Sequence, residues 1–124
     1  MIYLDTNAII WLAGASDQLS AHAKATINAA DQLFISPMVR LEMTYLFEIG
    51  RIGQPAQNIL DHLNAVLPLR ECKRSFSAVV GAARDLTWTR DPFDRLITAQ
   101  ASLGADTLLT RDQTIRANYA HATW

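Results

Sequence analysis

Ile2-Tyr3-Leu4-Asp5-Thr6-Asn7 is the stretch on which the fold turns. An apolar run short enough to be a buried strand delivers an aspartate and two small polar residues. An apolar helix start, Ala8-Ile9-Ile10-Trp11-Leu12, follows at once. In an open α/β sheet, ligands gather beyond the carboxyl ends of the strands, so a carboxylate at residue 5 is a candidate metal ligand. Aspartate is also among the best helix N-caps. Which role Asp5 plays depends on whether other carboxylates converge on it.

Outward from that strand, helical and extended segments alternate. Residues 19–30 are alanine-rich and read as a helix, with Ser20 or Asp17 near its start. Leu33-Phe34-Ile35-Ser36 reads as a buried strand. A helix is expected over 37–50, with Pro37 at its first position and Gly50 as its C-cap. Gln54-Pro55 opens a helix over 56–66, with Ile59, Leu60, Leu63 and Leu67 on one face, and Pro68 ends it. A short strand over 69–72, a helix over 76–86 and a long helix from Asp91-Pro92 to about Leu103, stopped by Gly104, come next. Thr107-Leu108-Leu109-Thr110 reads as a strand, and the tail 121–124 as an edge strand. This alternation predicts a three-layer α/β/α sandwich with a mostly parallel central sheet, in a single domain over 1–124.

At 124 residues and 50% hydrophobic, the chain can bury a sizeable core. Its one cysteine, Cys72, cannot form an internal disulfide, and His22, His62 and His121 are too scattered for a zinc site. No stretch approaches the roughly 18 to 20 apolar residues of a membrane span, and no basic leader precedes the first strand. The expected location is therefore cytoplasmic, with the chain intact from Met1. A net charge of −1 argues against indiscriminate nucleic-acid binding. The charge is nonetheless uneven: residues 1–69 carry three cations and six acids, and residues 70–124 eight cations and six acids. Arginine outnumbers lysine nine to two, and its planar fork suits phosphate oxygens. Ordinary surface ion pairs are the competing account of each arginine.

Four acids stand out. On a helix from Pro37, the row Met38, Glu42, Tyr45, Leu46 and Ile49 is the apolar stripe, and Arg40, Thr44, Glu48 and Arg51 trace a polar one. Glu42 is thereby placed toward the core or a cleft, where an unpaired carboxylate is costly or changes its pKa. In Arg90-Asp91-Pro92-Phe93-Asp94-Arg95, Asp91 is an N-cap and Asp94 could close a capping-box-like arrangement. Asp94 also begins an inward stripe with Ile97, Thr98 and Ala101, which favours it as the site acid and Asp91 as cap or support. Asp112 follows its strand as Asp5 follows the first, and a turn or cap role competes there too. An all-oxygen set suits Mg²⁺ or Mn²⁺, the chemistry of phosphodiester hydrolysis. Thr6, Asn7 and Thr110 are candidate hydrogen-bonding supports, and Arg90, Arg95 and Arg111 candidate contacts to an RNA backbone.

Ile2-Tyr3-Leu4-Asp5-Thr6-Asn7, the helical Glu42, Asp91-Pro92-Phe93-Asp94-Arg95-Leu96-Ile97 with Ala99-Gln100-Ala101, and Leu109-Thr110-Arg111-Asp112 together resemble the PIN-domain ribonucleases of bacterial toxin–antitoxin pairs, the VapC toxins. The resemblance runs through the whole chain in order, and the Asp-Pro-Phe-Asp-Arg block is its most specific part. It implies a Mg²⁺- or Mn²⁺-dependent endoribonuclease, inhibited by a small antitoxin whose tail occupies the active-site groove, and commonly a homodimer. Carried over by position, Asp5, Glu42 and Asp94 match the core metal-site acids and Asp112 the fourth, more variable one; Asp91 belongs to the same motif. The segment Ser36-Pro37-Met38-Val39-Arg40 departs from the familiar pattern, which bears on substrate placement. A haloacid dehalogenase phosphatase would need a second aspartate where Asn7 stands, and a receiver domain an acidic pair and a late lysine. A catalytically silent module binding RNA or protein is the alternative from another class.

Overall fold

Short apolar segments that are buried on both faces favour parallel pairing beneath covering helices. The computed structural model describes residues 1–124 and shows that arrangement. Five strands, β1 (Ile2–Leu4), β2 (Leu33–Ile35), β3 (Leu69–Glu71), β4 (Thr107–Leu109) and β5 (Ala122–Thr123), form one sheet in the order β3-β2-β1-β4-β5. Every neighbouring pair is parallel. Seven helices connect and cover the strands: α1 (Thr6–Ala13), α2 (Ala21–Ala29), α3 (Pro37–Glu48), α4 (Ala56–Asn64), α5 (Phe76–Ala83), α6 (Pro92–Ser102) and α7 (Gln113–Asn118). The expected sandwich is thus present, and its sheet is wholly parallel. No helix is long and apolar enough to cross a membrane.

β1 is the central strand, with Leu4 opposite Leu109 on one side and Tyr3 opposite Phe34 on the other. The chain therefore builds outward from β1 in one direction and later returns to its other flank. That reversal opens a crevice at the carboxyl end of β1.

Polar side chains start most of the helices. Ser20, Ser36 and Ser75 each accept a backbone N–H of the first turn of α2, α3 and α5. At the other end of α3, Gly50 takes φ +78°, and the Arg51 N–H reaches back to the Leu46 carbonyl at 2.8 Å. This is a Schellman-type stop, which a Cβ at residue 50 would strain.

The orientation of α3 corrects the stripe read from sequence. Val39 and Met43 are its fully buried residues; Tyr45 and Ile49 are exposed, and Met38, Glu42 and Leu46 lie between. Two adjacent apolar rows run along this helix, and the row buried in the core is the one starting at Val39. Glu42 borders that row, on the margin between core and solvent.

A polar network on the sheet also carries fold stability. Arg74 donates to the Tyr3 hydroxyl at 3.1 Å and the Gln100 carbonyl at 2.8 Å, and pairs with Asp106 at 2.9 Å. The Met1 ammonium meets the other Asp106 oxygen, also at 2.9 Å. The left-handed turn that ends α6 is made by Ala105 (φ +52°), not by Gly104 as the sequence suggested, and Gly104 serves this network instead: a Cβ there would press on Arg74 Nη2 and lie 2.5 Å from Asp106 Oδ2. Gly104→Ala is therefore expected to push the pair apart and cost about 2 kcal/mol in urea unfolding, from a partly unpaired Asp106. An unchanged midpoint would show that the pair shifts freely.

Candidate active site

Asp5 is delivered by the end of β1 and caps α1, its Oδ1 accepting the Ala8 N–H at 2.8 Å. The side chain is buried, and burial pushes its pKa up to about 6. The charges of Glu42 and Asp112 add to that rise, while hydrogen bonds from the Thr110 hydroxyl and the Ala8 N–H oppose it. Cap and site residue are thus compatible roles, since the capping bond engages one oxygen.

Glu42 projects from the second turn of α3 and is held by Thr6, whose hydroxyl donates to Oε1. Burial raises its pKa, helped by the charge of Asp91 and opposed by the Thr6 hydrogen bond. Asp94 lies in the first turn of α6. Its pKa is pushed up to about 7, first by burial and then by Asp91, Asp112, Glu42 and Asp5 in turn. Nothing donates a hydrogen bond to offset this. The capping-box expectation for Asp94 does not hold, because the Asp91 N–H is taken by the Thr89 hydroxyl at 3.1 Å. The Asp94 carboxylate is consequently left to the cleft.

Asp112 caps α7, accepting the Ile115 N–H at 2.8 Å, and its own N–H is held by Thr110 Oγ1 at 3.1 Å. Asp5, Thr6, Asn7, Glu42, Asp94, Ile97 and Asp112 line one cleft of about 50 Å³. Asp91 stands outside that lining, exposed, with Oδ1 accepting the N–H groups of Phe93 and Asp94 at 2.8 and 3.1 Å. It acts on the cleft through its field, felt at both Glu42 and Asp94.

No cation answers these charges. The ion pairs of the molecule join Met1 and Arg74 to Asp106 and Arg40 to Glu71, all away from the cleft. Burial and neighbouring negative charge raise the pKa of three of the four lining carboxylates. A hard divalent cation relieves that repulsion, so the donor set fits Mg²⁺ or Mn²⁺ in chemistry. The side chains face a common space without forming a chelating cluster.

The three candidate RNA-contacting arginines differ. Arg95 is committed to the protein, its Nε and Nη2 donating to the Ala83 and Arg84 carbonyls at 2.9 and 3.1 Å, where it caps the end of α5. Arg90 is exposed and bonds only the nearby Thr87 carbonyl, at 2.8 Å. Arg111 is exposed, donates to Gln18 and lies over the Trp11 ring at 5.8 Å. The first of the three is thus a structural clamp between α5 and α6.

Two features were not singled out from sequence. Thr6 specifically holds Glu42, a pairing between distant segments that spacing does not reveal. Tyr45 stacks on Phe93, next to Asp94, although the proximity of each aromatic to a candidate acid was a usable signal. The most spacious depression, about 600 Å³ between α1 and α4, is lined by Ile10, Ile52, Ile59, Arg51 and His62 among others, with no carboxylate. It carries no set of acids for hydrolytic chemistry.

The PIN domain family model matches residues 2–120. In fold, the chain is similar to the toxin–antitoxin complex from Klebsiella pneumoniae, with a TM-score of 0.70 and 20% identity over 100% of this chain and 97% of the matched one. It is also similar to VapBC2 from Rickettsia felis bound to a DNA fragment from their promoter, with a TM-score of 0.67 and 19% identity, covering 98% and 96% of the two chains. FitAcB from Neisseria gonorrhoeae is similar at a TM-score of 0.59 and 18% identity, covering 98% and 95%. No curated protein is recognisably similar in sequence.

Proposed function

The chain belongs to the PIN domain family, and on that premise we propose that it is a Mg²⁺- or Mn²⁺-dependent endoribonuclease, the toxin of a toxin–antitoxin pair. The observation that carries this reading is the convergence of Asp5, Glu42, Asp94 and Asp112 on one cleft that holds no cationic side chain. Those four acids are the proposed metal-holding and catalytic set, with Asp91 as an outer member. When bound, such an ion polarises phosphoryl oxygens and makes water a stronger nucleophile.

The protein's own part is to fix donors and shape the cleft. Thr6 holds Glu42, Thr110 steadies both Asp5 and the Asp112 backbone, and Asn7 offers an exposed amide at the rim. Arg90 and Arg111 are the arginines left to follow the phosphate backbone of RNA. Replacing either by alanine should weaken RNA binding and flatten the dependence of log Kd on log salt by about one unit per lost contact. An unchanged slope in both variants rejects that assignment.

A small antitoxin and a second copy of the chain are the proposed partners, in the cytoplasm. The groove between α1 and α4 provides apolar surface for the first, and Phe76 with Val80, one turn apart and exposed on α5, for the second. The test is cleavage of a pool of structured RNAs by purified protein with Mn²⁺ or with EDTA, alongside Asp5→Ala. Cutting by the wild type in Mn²⁺ alone is the expected result, and equal cutting in every arm, or none, defeats it. The alternative from another class is a catalytically silent RNA- or protein-binding module. That reading requires binding that survives Asp94→Asn with no cleavage in any arm.

A further inference from the structure

Tyr45 stands three residues after Glu42 on α3, and Phe93 immediately precedes Asp94 on α6. Residues three apart on a helix are surface neighbours, so Tyr45 lies beside Glu42 on α3, while Phe93 is next in sequence to Asp94 on α6. The two rings meet with centroids 6.0 Å and planes 27° apart. Phe93 packs against the core, whereas Tyr45 is 47% exposed. The result is an anchored aromatic pair whose outer ring stands in solvent.

A second aromatic pair of the molecule is built differently. Trp11, four residues after Asn7, meets Trp124 edge-on at 5.6 Å, and the Arg111 guanidinium lies over the Trp11 ring. That aromatic already has a partner on its face. No cation lies over the Tyr45 ring, the guanidinium–ring contacts being Arg74 on Tyr3 and Arg111 on Trp11. A contact made on that ring face is therefore an uncharged one. Nucleobases supply one, because every base has a π-face that stacks on an aromatic side chain.

We infer that Tyr45, backed by Phe93, is a stacking platform for a base of single-stranded RNA, next to the phosphate presented to the carboxylates. This rests on the nuclease reading above. It is tested with a random-sequence 20-nucleotide RNA carrying internal 2-aminopurine, cut in Mn²⁺ by the wild-type protein and by Tyr45→Ala, Tyr45→Leu, Tyr45→Phe and Tyr45→Trp. The Ala and Leu variants should raise KM about tenfold, and the Phe and Trp variants should stay near wild type. Quenching of 2-aminopurine on binding should follow the same split, while the salt dependence of KM is unchanged because no charge is lost. A wild-type KM in Tyr45→Ala, or the same KM rise in all four variants, overturns the inference and leaves the nuclease reading standing. So does a fall in oligomer size in Tyr45→Ala and Tyr45→Leu, which would assign this face to a second copy. A wild-type protein that neither cuts nor binds the RNA overturns both.

Discussion

Asp94→Asn is expected to reduce metal-dependent RNA cleavage at least ~100-fold while making the metal-free protein more stable. The two effects have one origin. Asp94 is pressed by burial and by Asp91, Asp112, Glu42 and Asp5, so its ionised form is disfavoured up to about pH 7. An amide of the same shape removes a charge that only repels in the absence of a cation, and the melting temperature in EDTA should rise by several degrees, about 1 kcal/mol. The same change deletes a proposed metal donor. Loss of groups that merely support such donors costs about 10- to 100-fold, so loss of a donor should cost at least as much. Cleavage and melting are measured on one preparation, which excludes misfolding as the cause. Retained cleavage would remove Asp94 from the proposed set, and a lowered melting temperature would refute the repulsion.

The second large effect is a pH dependence of stability that a divalent cation should flatten. Asp5, with a pKa raised from 3.8 to about 6, and Asp94, raised to about 7, bind protons more tightly in the folded chain than in the unfolded one. Stability must therefore fall as pH rises from about 4 through 7, because the unfolded state binds fewer protons across that window. For Asp5 alone the shift corresponds to at most about 3 kcal/mol. In EDTA, the melting temperature should be higher at pH 5 than at pH 8. Asp106 acts in the opposite sense, its pKa lowered by hydrogen bonds from the N-terminus and Arg74 despite burial. Its contribution is lost only at more acidic pH, below the ordinary carboxylate range, and leaves the pH 5 to 8 comparison to the cleft. Saturating Mn²⁺ should restore stability at pH 8 through preferential binding to the folded state. A pH profile unaffected by Mn²⁺ would show that the cleft holds no cation.

Local chemistry made most of the architecture readable. A strand closing on Asp5, Pro37 and Pro92 at helix starts, and Gly50 at a helix end are short-range signals, and each lies where its backbone rule requires. The facing of α3 was not readable, because Met38, Val39, Leu46 and Tyr45 supply apolar residues to adjoining rows and only packing against the neighbouring helices and core selects Val39 and Met43. Arg95 looked like a phosphate ligand because its charge was visible and its partners, two carbonyls at the end of another helix, were not. The bond between Thr6 and Glu42 crosses thirty-six residues of sequence, beyond any periodicity. The candidate acids could be named individually, but their common cleft is a property of the crossover at β1.

The capping bonds divide the four acids into two kinds. Asp5 and Asp112 each start a helix with one oxygen, so the fold has its own use for them. Glu42 and Asp94 start nothing, and their burial is a liability unless a cation is present. On the proposed reading, a descendant that no longer cut RNA would keep the Asp5 cap for folding while Glu42 and Asp94 drifted toward neutral side chains. An intact Asp5 would thus mark the fold, and Glu42 with Asp94 the activity.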